Sequence, residues 1–272
     1  MAIDGFVSLM TLRRGQKVSK QLLIYDRVAA IGSVSHADVS VDINGSFAFA
    51  AGVNSVPLLS IEFEAAAISH PIVFARKGAS LFPTALLGLR PDRNEHVDFD
   101  GSWTGGYLPA FLRRYPFIFS QQEGQDEQSF TLCLDEAHPG VNREGRGERL
   151  FDGAGEQTPW LARQMAFTVE YQAQFLHTQT FCAHLDRLGL LDDAQAVYRG
   201  ASGVQGSMGG FCVLNRARLK QIPASEMQAL VHNGGLSICF AHLHSLQNIL
   251  KLGQAARYSG TAEIQTTAIR AA

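Results

Sequence analysis

The chain contains a short motif with the residue types of a metal site, His-Val-Asp at residues 96–98. Side chains two apart on a β-strand point to the same side, so His96 and Asp98 could face one ion together. Non-haem iron oxygenases hold Fe(II) with two histidines and one carboxylate. The second histidine could be His138, His184, His242 or His244. Alternatively, Asp98 belongs to a turn within Asp-Phe-Asp-Gly, and the protein holds no metal or other cofactor.

The remaining histidines and the glycines form no recognisable catalytic motif. His242 and His244 are two apart in a predicted helix, where their side chains point about 200° apart. His177 and His184 share a helix face without a third ligand, which is typical of polar positions on an amphipathic helix. The glycine-rich segment at 200–210 lacks the context of a hydrolase nucleophile or a phosphate loop, so it is predicted to form flexible turns. The sequence therefore identifies no catalytic residue, and a non-enzymatic role is favoured.

A second group of residues has the chemistry of a binding surface. The stretch GGYLPAFLRRYPFIFS, residues 105–120, combines aromatic side chains, which anchor interfaces, with paired arginines, which bind carboxylates. Phe117 and Phe119 are expected to alternate into a core. The rest predicts a cleft for a peptide or an acidic partner, closed by a mobile glycine-rich loop at 136–158. The predicted binding residues are Trp103, Tyr107, Arg113 and Arg114, with Asp135 and Glu136 as a polar edge.

The helices and strands that position these residues are predicted from the apolar patterns and from the Gly, Pro and Asp residues that separate them. Ser55 and Thr158 are predicted helix caps, each followed closely by a proline. The predicted helices cover about 57–69, 159–188 and 224–252. The predicted strands lie at about 21–30, 71–75, 82–89, 95–103, 115–120, 129–136 and 209–215. Strands followed by helices predict an α+β fold, a mainly antiparallel sheet covered by a long central helix and C-terminal helices.

The composition limits the partners and the compartment. The chain has 272 residues and a formal net charge of −2 without a long basic run, so nucleic acid is not an expected partner. No apolar run approaches the roughly eighteen residues of a membrane span, and the amino terminus does not resemble a secretory signal. Scattered cysteines predict free thiols in the cytoplasm: Cys133, Cys182, Cys212 and Cys239. We expect one domain over residues 1–272 with a loose tail after 253.

Several segments resemble the bacterial SapC family in family order, from about Phe47 to Leu252. They are FAFAAGVNSVPLL, PIVFA, FPTALLGL, VDFDGSWTGGYLPAFLRRYPF, LCLDEAHP and the closing GFCVLN and AHLHSLQNILKL. The family name is associated with a bacterial surface layer, and the family has no defined catalytic residues to carry over. The resemblance implies a binding or accessory protein that engages a peptide or protein partner, or a surface-layer system. Export to the cell surface without a cleaved signal stays open.

Overall fold

The computed structural model describes residues 24–78, 80–121, 130–199, 205–255 and 262–266. These residues form two compact units. The larger unit comprises the described residues within 47–112 and from 173 onward, and the smaller unit comprises 24–46 and those within 113–172. The amino-terminal stretch examined for a signal, the start of the strand predicted at 21–30 and part of the glycine-rich segment at 200–204 lie outside the described residues. The single domain over residues 1–272 stays a prediction.

Strands and helices are numbered in chain order. The strands are β1 (Val28–Ala30), β2 (Ser40–Val41), β3 (Ser55–Pro57), β4 (Ile72–Lys77), β5 (Ser80–Leu86), β6 (Phe117–Gln121), β7 (Phe130–Asp135), β8 (Val141–Asn142), β9 (Glu148–Arg149), β10 (Leu191–Arg199), β11 (Gln205–Leu214) and β12 (Ala262–Thr266). The helices are α1 (Phe63–Ala66), α2 (Ala110–Arg113), α3 (Pro159–Arg187), α4 (Arg216–Leu219), α5 (Ala224–His232), α6 (Gly235–Ser245) and α7 (Ile249–Ala255).

The larger unit contains an antiparallel sheet with the strand order β12-β10-β11-β4-β5-β3. Its strands carry β-branched and aromatic residues that suit a pleated, buried surface, as in Val73 on β4 and Phe211 on β11. These side chains pack in one cluster with Leu86 and with Ile249 of α7. Helix α6 contacts β4 and β11, and the Ile72 N–H donates to Ser245 Oγ at 2.9 Å. The sheet and the C-terminal helices therefore share one core.

The smaller unit contains two three-stranded sheets, β1-β7-β6 and β8-β2-β9. Its core includes Val41, Phe117, Leu134 and Leu150, all of which are almost completely buried. The first turn of α3 belongs to this unit, and Thr158 caps it by accepting the Leu161 N–H at 3.2 Å. The predicted Thr158 cap is confirmed. The strands predicted at about 115–120 and 129–136 correspond to β6 and β7, which pair antiparallel, and residues 122–129 between them are outside the described part of the chain.

The predicted α+β class, with antiparallel sheets, a long helix and C-terminal helices, is confirmed. The predicted helix over 57–69 is wrong at its start, because Ser55–Pro57 forms the buried edge strand β3 beside β5. A 3-10 turn at Ser60–Glu62 precedes the short helix α1. The predicted strand at 95–103 is reduced to a single bridge between Val97 and Trp103.

The glycine-rich segment at 200–210 was predicted to form turns, but its residues 205–210 belong to strand β11, which pairs with β10 and also contains most of the strand predicted at 209–215. Gly206 explains the difference, because a Cβ placed there would lie 2.5 Å from the ring of Tyr198 on β10. The glycine lets the tyrosine pack across the strand pair. The predicted loop at 136–158 includes β8 and β9, which pair with β2, and β12 in the predicted tail pairs with β10. Mobility of the loop and of the tail stays a prediction.

Candidate functional site

Three aromatic rings meet in the larger unit. His70 lies just before β4, His96 precedes Val97, and Val97 forms an isolated antiparallel bridge with Trp103. The ring centroids of His70 and His96 are 4.8 Å apart, and Trp103 lies 5.7 Å from His96 and 6.1 Å from His70. His70 is completely buried, whereas the other two rings are partly buried. Sequence analysis missed His70, since nothing in the local pattern links it to a residue 26 positions later.

Each ring presents a buried nitrogen that has no hydrogen-bond partner among the described residues: His70 Nδ1, His96 Nε2 and Trp103 Nε1. The other nitrogen of His70, Nε2, lies 2.7 Å from the carbonyl oxygen of Tyr107. A carbonyl oxygen can only accept, so Nε2 carries the proton and Nδ1 keeps a lone pair. Buried polar atoms normally find partners, whereas here three neighbouring rings each have a buried nitrogen without one.

Burial determines the charge of both histidines in this cluster. It lowers the pKa of His70, and the hydrogen bond to the Tyr107 carbonyl offsets this only in part. It also lowers the pKa of His96 to about 4, with a further contribution from the neighbouring His70. Both imidazoles are therefore neutral at pH 7, which is the form that can donate a lone pair.

Tyr107, predicted as a binding residue, is held by a buried carboxyl group. Its hydroxyl donates to Glu62 Oε1 at 2.9 Å, and the same oxygen accepts the Ala110 N–H at 2.7 Å. The other oxygen of Glu62 accepts the Leu59 N–H at 2.8 Å. Because these bonds fix Tyr107, they also fix the carbonyl group that orients His70.

The Asp-Phe-Asp-Gly segment forms the turn that the sequence predicted, and it exposes Phe99 almost completely, at 99%. The Asp98 N–H donates to the Ser102 carbonyl at 3.0 Å, and the Gly101 N–H donates to the Asp98 carbonyl at 2.9 Å. Asp100 Oδ1 accepts the Ser102 N–H at 2.9 Å, and this contact lowers the pKa of Asp100. The turn is therefore held by its own backbone, with a phenylalanine between two exposed carboxylates. Sequence analysis recognised the turn but not the exposed ring.

Asp135 is completely buried in the smaller unit, where its carboxylate connects β7 with the chain before β1. Oδ1 accepts the Arg27 N–H at 2.8 Å and the Ala137 N–H at 3.0 Å. Oδ2 accepts the Asp26 N–H at 2.9 Å and the Tyr115 hydroxyl at 3.1 Å. Four donors surround the two oxygens, so this predicted binding residue is engaged inside its own unit.

The two predicted arginines have different environments. Arg114 is 6% exposed, and its guanidinium carbon lies 4.2 Å from the ring centroid of Tyr171 and 5.9 Å from that of Tyr25. Arg113 is exposed, and its guanidinium lies 5.4 Å above the ring of Phe167. A guanidinium over an aromatic face is attracted by the electrons of the ring. Only Arg113 of this pair therefore presents its charge at the surface of the smaller unit.

Glu136, the last predicted binding residue, lies at the edge of the smaller unit with its side chain 35% exposed. Its Oε2 lies 3.2 Å from Arg27 Nε, and its backbone carbonyl accepts a bond from Arg27 Nη2 at 2.9 Å. Its Oε1 lies 3.6 Å from Nε2 of the buried His36. Glu136 thus belongs to a small charged group at the surface.

The described part of the chain contains no group of three or more histidine, cysteine or acidic side chains that could hold a metal ion. The Fe(II) alternative therefore gains no third ligand for His96 and Asp98 from these residues. The histidines named for it have contacts of their own: His138 with Gly140, His184 with Glu226, His242 with Leu214 and His244 with Gln247. The Asp98 carboxylate accepts the Phe99 N–H within the turn at 3.3 Å.

The fold and these sites define an α+β protein in which most of the predicted polar residues make internal hydrogen bonds or ring contacts. Over the described ranges, none of the helices combines the length and the apolar character needed to span a bilayer. The chain belongs to the SapC family, whose model matches residues 31–252. Comparisons with curated proteins and with solved structures gave no match.

Proposed function

We propose that this SapC-family protein is a non-catalytic binding protein that engages a peptide or protein partner, with the Phe99 turn as the anchor. The observation that carries the proposal is the 99% exposure of a phenylalanine on a turn held by backbone hydrogen bonds. A buried aromatic side chain is a typical anchor of an interface. Phe99 is presented at the surface rather than used in the core of its own unit.

The energetics of the turn favour binding. Burial of a phenylalanine side chain contributes about 1.5–3 kcal/mol. The hydrogen bonds of the turn already order residues 98–102, so association loses little additional backbone entropy. Asp98 and Asp100 flank the ring, and their charges favour a partner with lysines or arginines around an apolar pocket. The proposed partner surface is therefore an apolar pocket with a basic rim.

The other predicted binding residues have supporting roles in this proposal. Trp103 packs against Phe47, with ring centroids 5.8 Å apart, and supports the base of the turn. Tyr107 is fixed by Glu62 and positions backbone rather than touching the partner.

The compartment and the biological setting are part of the same proposal. Every cysteine of the chain is buried and unpaired, which favours the reducing cytoplasm. The family name suggests a surface-layer system as one setting in which a protein partner would be found. If the partner is bound in the cytoplasm before the partner is exported, both the reduced cysteines and the surface-layer setting are accounted for.

A peptide selection tests the proposal, since it lets the protein choose its own ligands. A displayed library of random dodecapeptides is selected on the full-length protein, and the enriched peptides are synthesised and measured by fluorescence anisotropy. We expect peptides that combine an apolar core with lysine or arginine. Phe99→Ser should weaken their binding about tenfold or more, the equivalent of about 1.4 kcal/mol or more. The thermal midpoint should be unchanged, because the ring makes almost no contact with its own chain.

Two further variants make the result specific. The double variant Asp98→Asn and Asp100→Asn keeps the oxygens that accept hydrogen bonds but removes both charges, so it should weaken binding and its salt dependence. Val34→Ser, which alters another residue exposed at 94%, is the matched control and should bind normally. If the enriched peptides bind the Phe99→Ser variant and the unmodified protein with equal affinity, Phe99 is not the anchor.

A further inference from the structure

The unpartnered nitrogens of His70, His96 and Trp103 have a chemistry that the proposed binding function does not use. We propose that His70 and His96 together bind one divalent first-row transition-metal ion, with water molecules completing its coordination. The donor atoms are His70 Nδ1 and His96 Nε2, which are buried and lack a hydrogen-bond partner among the described residues. The site is distinct from the exposed Phe99 turn, and it pairs His96 with His70 rather than with Asp98, the partner that the sequence suggested.

The ring separation fits two ligands of one ion. Imidazole nitrogens bind zinc at about 2.0–2.1 Å, and two rings at a tetrahedral angle on one ion have centroids roughly 5 Å apart. The observed separation between His70 and His96 is 4.8 Å, with the ring planes at 73°. This centroid separation, which edge-to-face ring packing also gives, is compatible with two ligands of one ion.

The surroundings of His70 match those of a metal-binding histidine. Such a histidine usually donates its other ring N–H to a carbonyl or carboxylate group, which fixes the tautomer and the ring orientation. His70 Nε2 donates to the Tyr107 carbonyl at 2.7 Å, and Glu62 in turn holds Tyr107 through its hydroxyl. This chain of bonds leaves the lone pair of His70 on Nδ1, the proposed donor atom.

The remaining groups of the cluster suit an ion with bound water. His70 keeps a lone pair on Nδ1 because its Nε2 proton is donated to the Tyr107 carbonyl, and Nε2 of His96 has no hydrogen-bond partner among the described residues. The indole N–H of Trp103 supplies a donor for a water molecule on the ion. Gly105 leaves room for the two rings, because a Cβ there would lie 2.7 Å from His96 and 2.8 Å from Trp103.

The donor set indicates which ions should bind. Imidazole nitrogen suits zinc, copper, nickel and cobalt, whereas magnesium and calcium prefer oxygen. Asp98 is not part of the proposed set, because its exposed carboxylate accepts a bond within the Phe99 turn. With two protein ligands, the site should bind zinc more weakly than the closed four-ligand sites that stabilise zinc fingers.

Calorimetric titration of the full-length protein, freed of metal by dialysis against EDTA and then against buffer, tests the proposal with ZnCl2 as the probe and MgCl2 as the control ion. We expect one Zn²⁺ per chain and no heat with Mg²⁺. His96→Gln should weaken zinc binding about tenfold or more by removal of one of the two ligands. His232→Gln replaces an exposed histidine of the same unit and should not change it. Phe99→Ser should bind zinc normally, so this proposal can fail independently of the proposed binding function.

Two results would overturn the metal site: no zinc binding up to millimolar concentrations, or binding that His96→Gln leaves intact. If His96→Gln does not fold, nitrogen NMR of the unmodified protein decides the matter. The resonances of His70 Nδ1 and His96 Nε2 should shift together when zinc is added. Shifts confined to other histidines would refute the site.

Discussion

His242 should make the larger unit sensitive to acid. Its ring is completely buried on α6, Nε2 accepts the Leu214 N–H at 3.0 Å, and the ring lies 4.9 Å from that of Phe74. Burial lowers the pKa of His242 from its usual 6.5 to about 3, and the Ile72 backbone offsets this only slightly. The folded protein therefore keeps this imidazole neutral at pH values where the unfolded chain protonates it.

The direction and size of the effect follow from proton linkage. Since the pKa is lower in the folded state, the unfolded state binds the additional proton, and the free energy of unfolding decreases as the pH falls. The stabilisation is complete above pH 6.5 and is lost progressively toward pH 3. Each pH unit within this range is worth about 1.4 kcal/mol, so His242 alone should reduce the free energy of unfolding by about 2.5 kcal/mol between about pH 7 and pH 4.5.

Urea unfolding at a series of pH values measures this loss. His242→Gln introduces a side chain that does not titrate and whose amide oxygen can still accept the Leu214 N–H. The variant should have a lower free energy of unfolding at pH 7. Between about pH 7 and pH 4.5, however, its free energy of unfolding should fall by about 2.5 kcal/mol less than that of the unmodified protein. His244→Gln makes the same change at an exposed position of the same helix and should keep the pH dependence of the unmodified protein. Equal pH dependence in His242→Gln and the unmodified protein would refute the reasoning.

Two more predictions concern buried groups. Burial raises the pKa of Cys133 and Cys212 to about 11 and of Cys182 and Cys239 to about 12, so Ellman's reagent at neutral pH should react with these thiols only after unfolding. Rapid reaction of the native protein would contradict this. Asp135→Asn should lower the free energy of unfolding by about 2–3 kcal/mol, because one of its backbone donors loses its acceptor. Glu136→Gln is the matched control, and about 0.5 kcal/mol or less is expected from the loss of a half-exposed ion pair. A similar loss in both variants would show that Asp135 does not anchor its unit.

The elements that the sequence predicted correctly are those with strong local signals. Thr158 and Pro159 mark the start of α3, and Gly189, with a φ of 61°, follows its end. Strands β4, β5, β6 and β7 were predicted, because each is apolar and is bounded by residues that favour turns. The predicted free, buried cysteines are confirmed.

The errors occur where tertiary contacts override local preference. Ser55 and Pro57 have the spacing of a helix start, but pairing with β5 places them in a strand. The glycines of β11 favour a turn by their local preference. They form a strand instead, in which Tyr198 of the neighbouring strand packs across Gly206. The pairing of His70 with His96 could not be predicted, because it depends on the packing of two separate loops.

The aromatic stretch at 105–120 also shows why the candidate site was only partly predictable. Its two tyrosines perform the same task in different units: Tyr107 donates to the buried Glu62, and Tyr115 donates to the buried Asp135. Each carboxyl group also accepts backbone N–H groups that would otherwise be buried without a partner. A pattern with the residue types of a binding surface therefore serves largely to satisfy buried polar groups.

This use of the stretch changes where function should be sought in the chain. A residue whose polar atoms already hold the fold gains little by meeting a ligand, since the ligand would have to replace an existing hydrogen bond. Phe99, exposed on its ordered turn, and the unpartnered nitrogens of His70 and His96 have no such competing role among the described residues. For that reason both proposals rest on residues outside the aromatic stretch at 105–120.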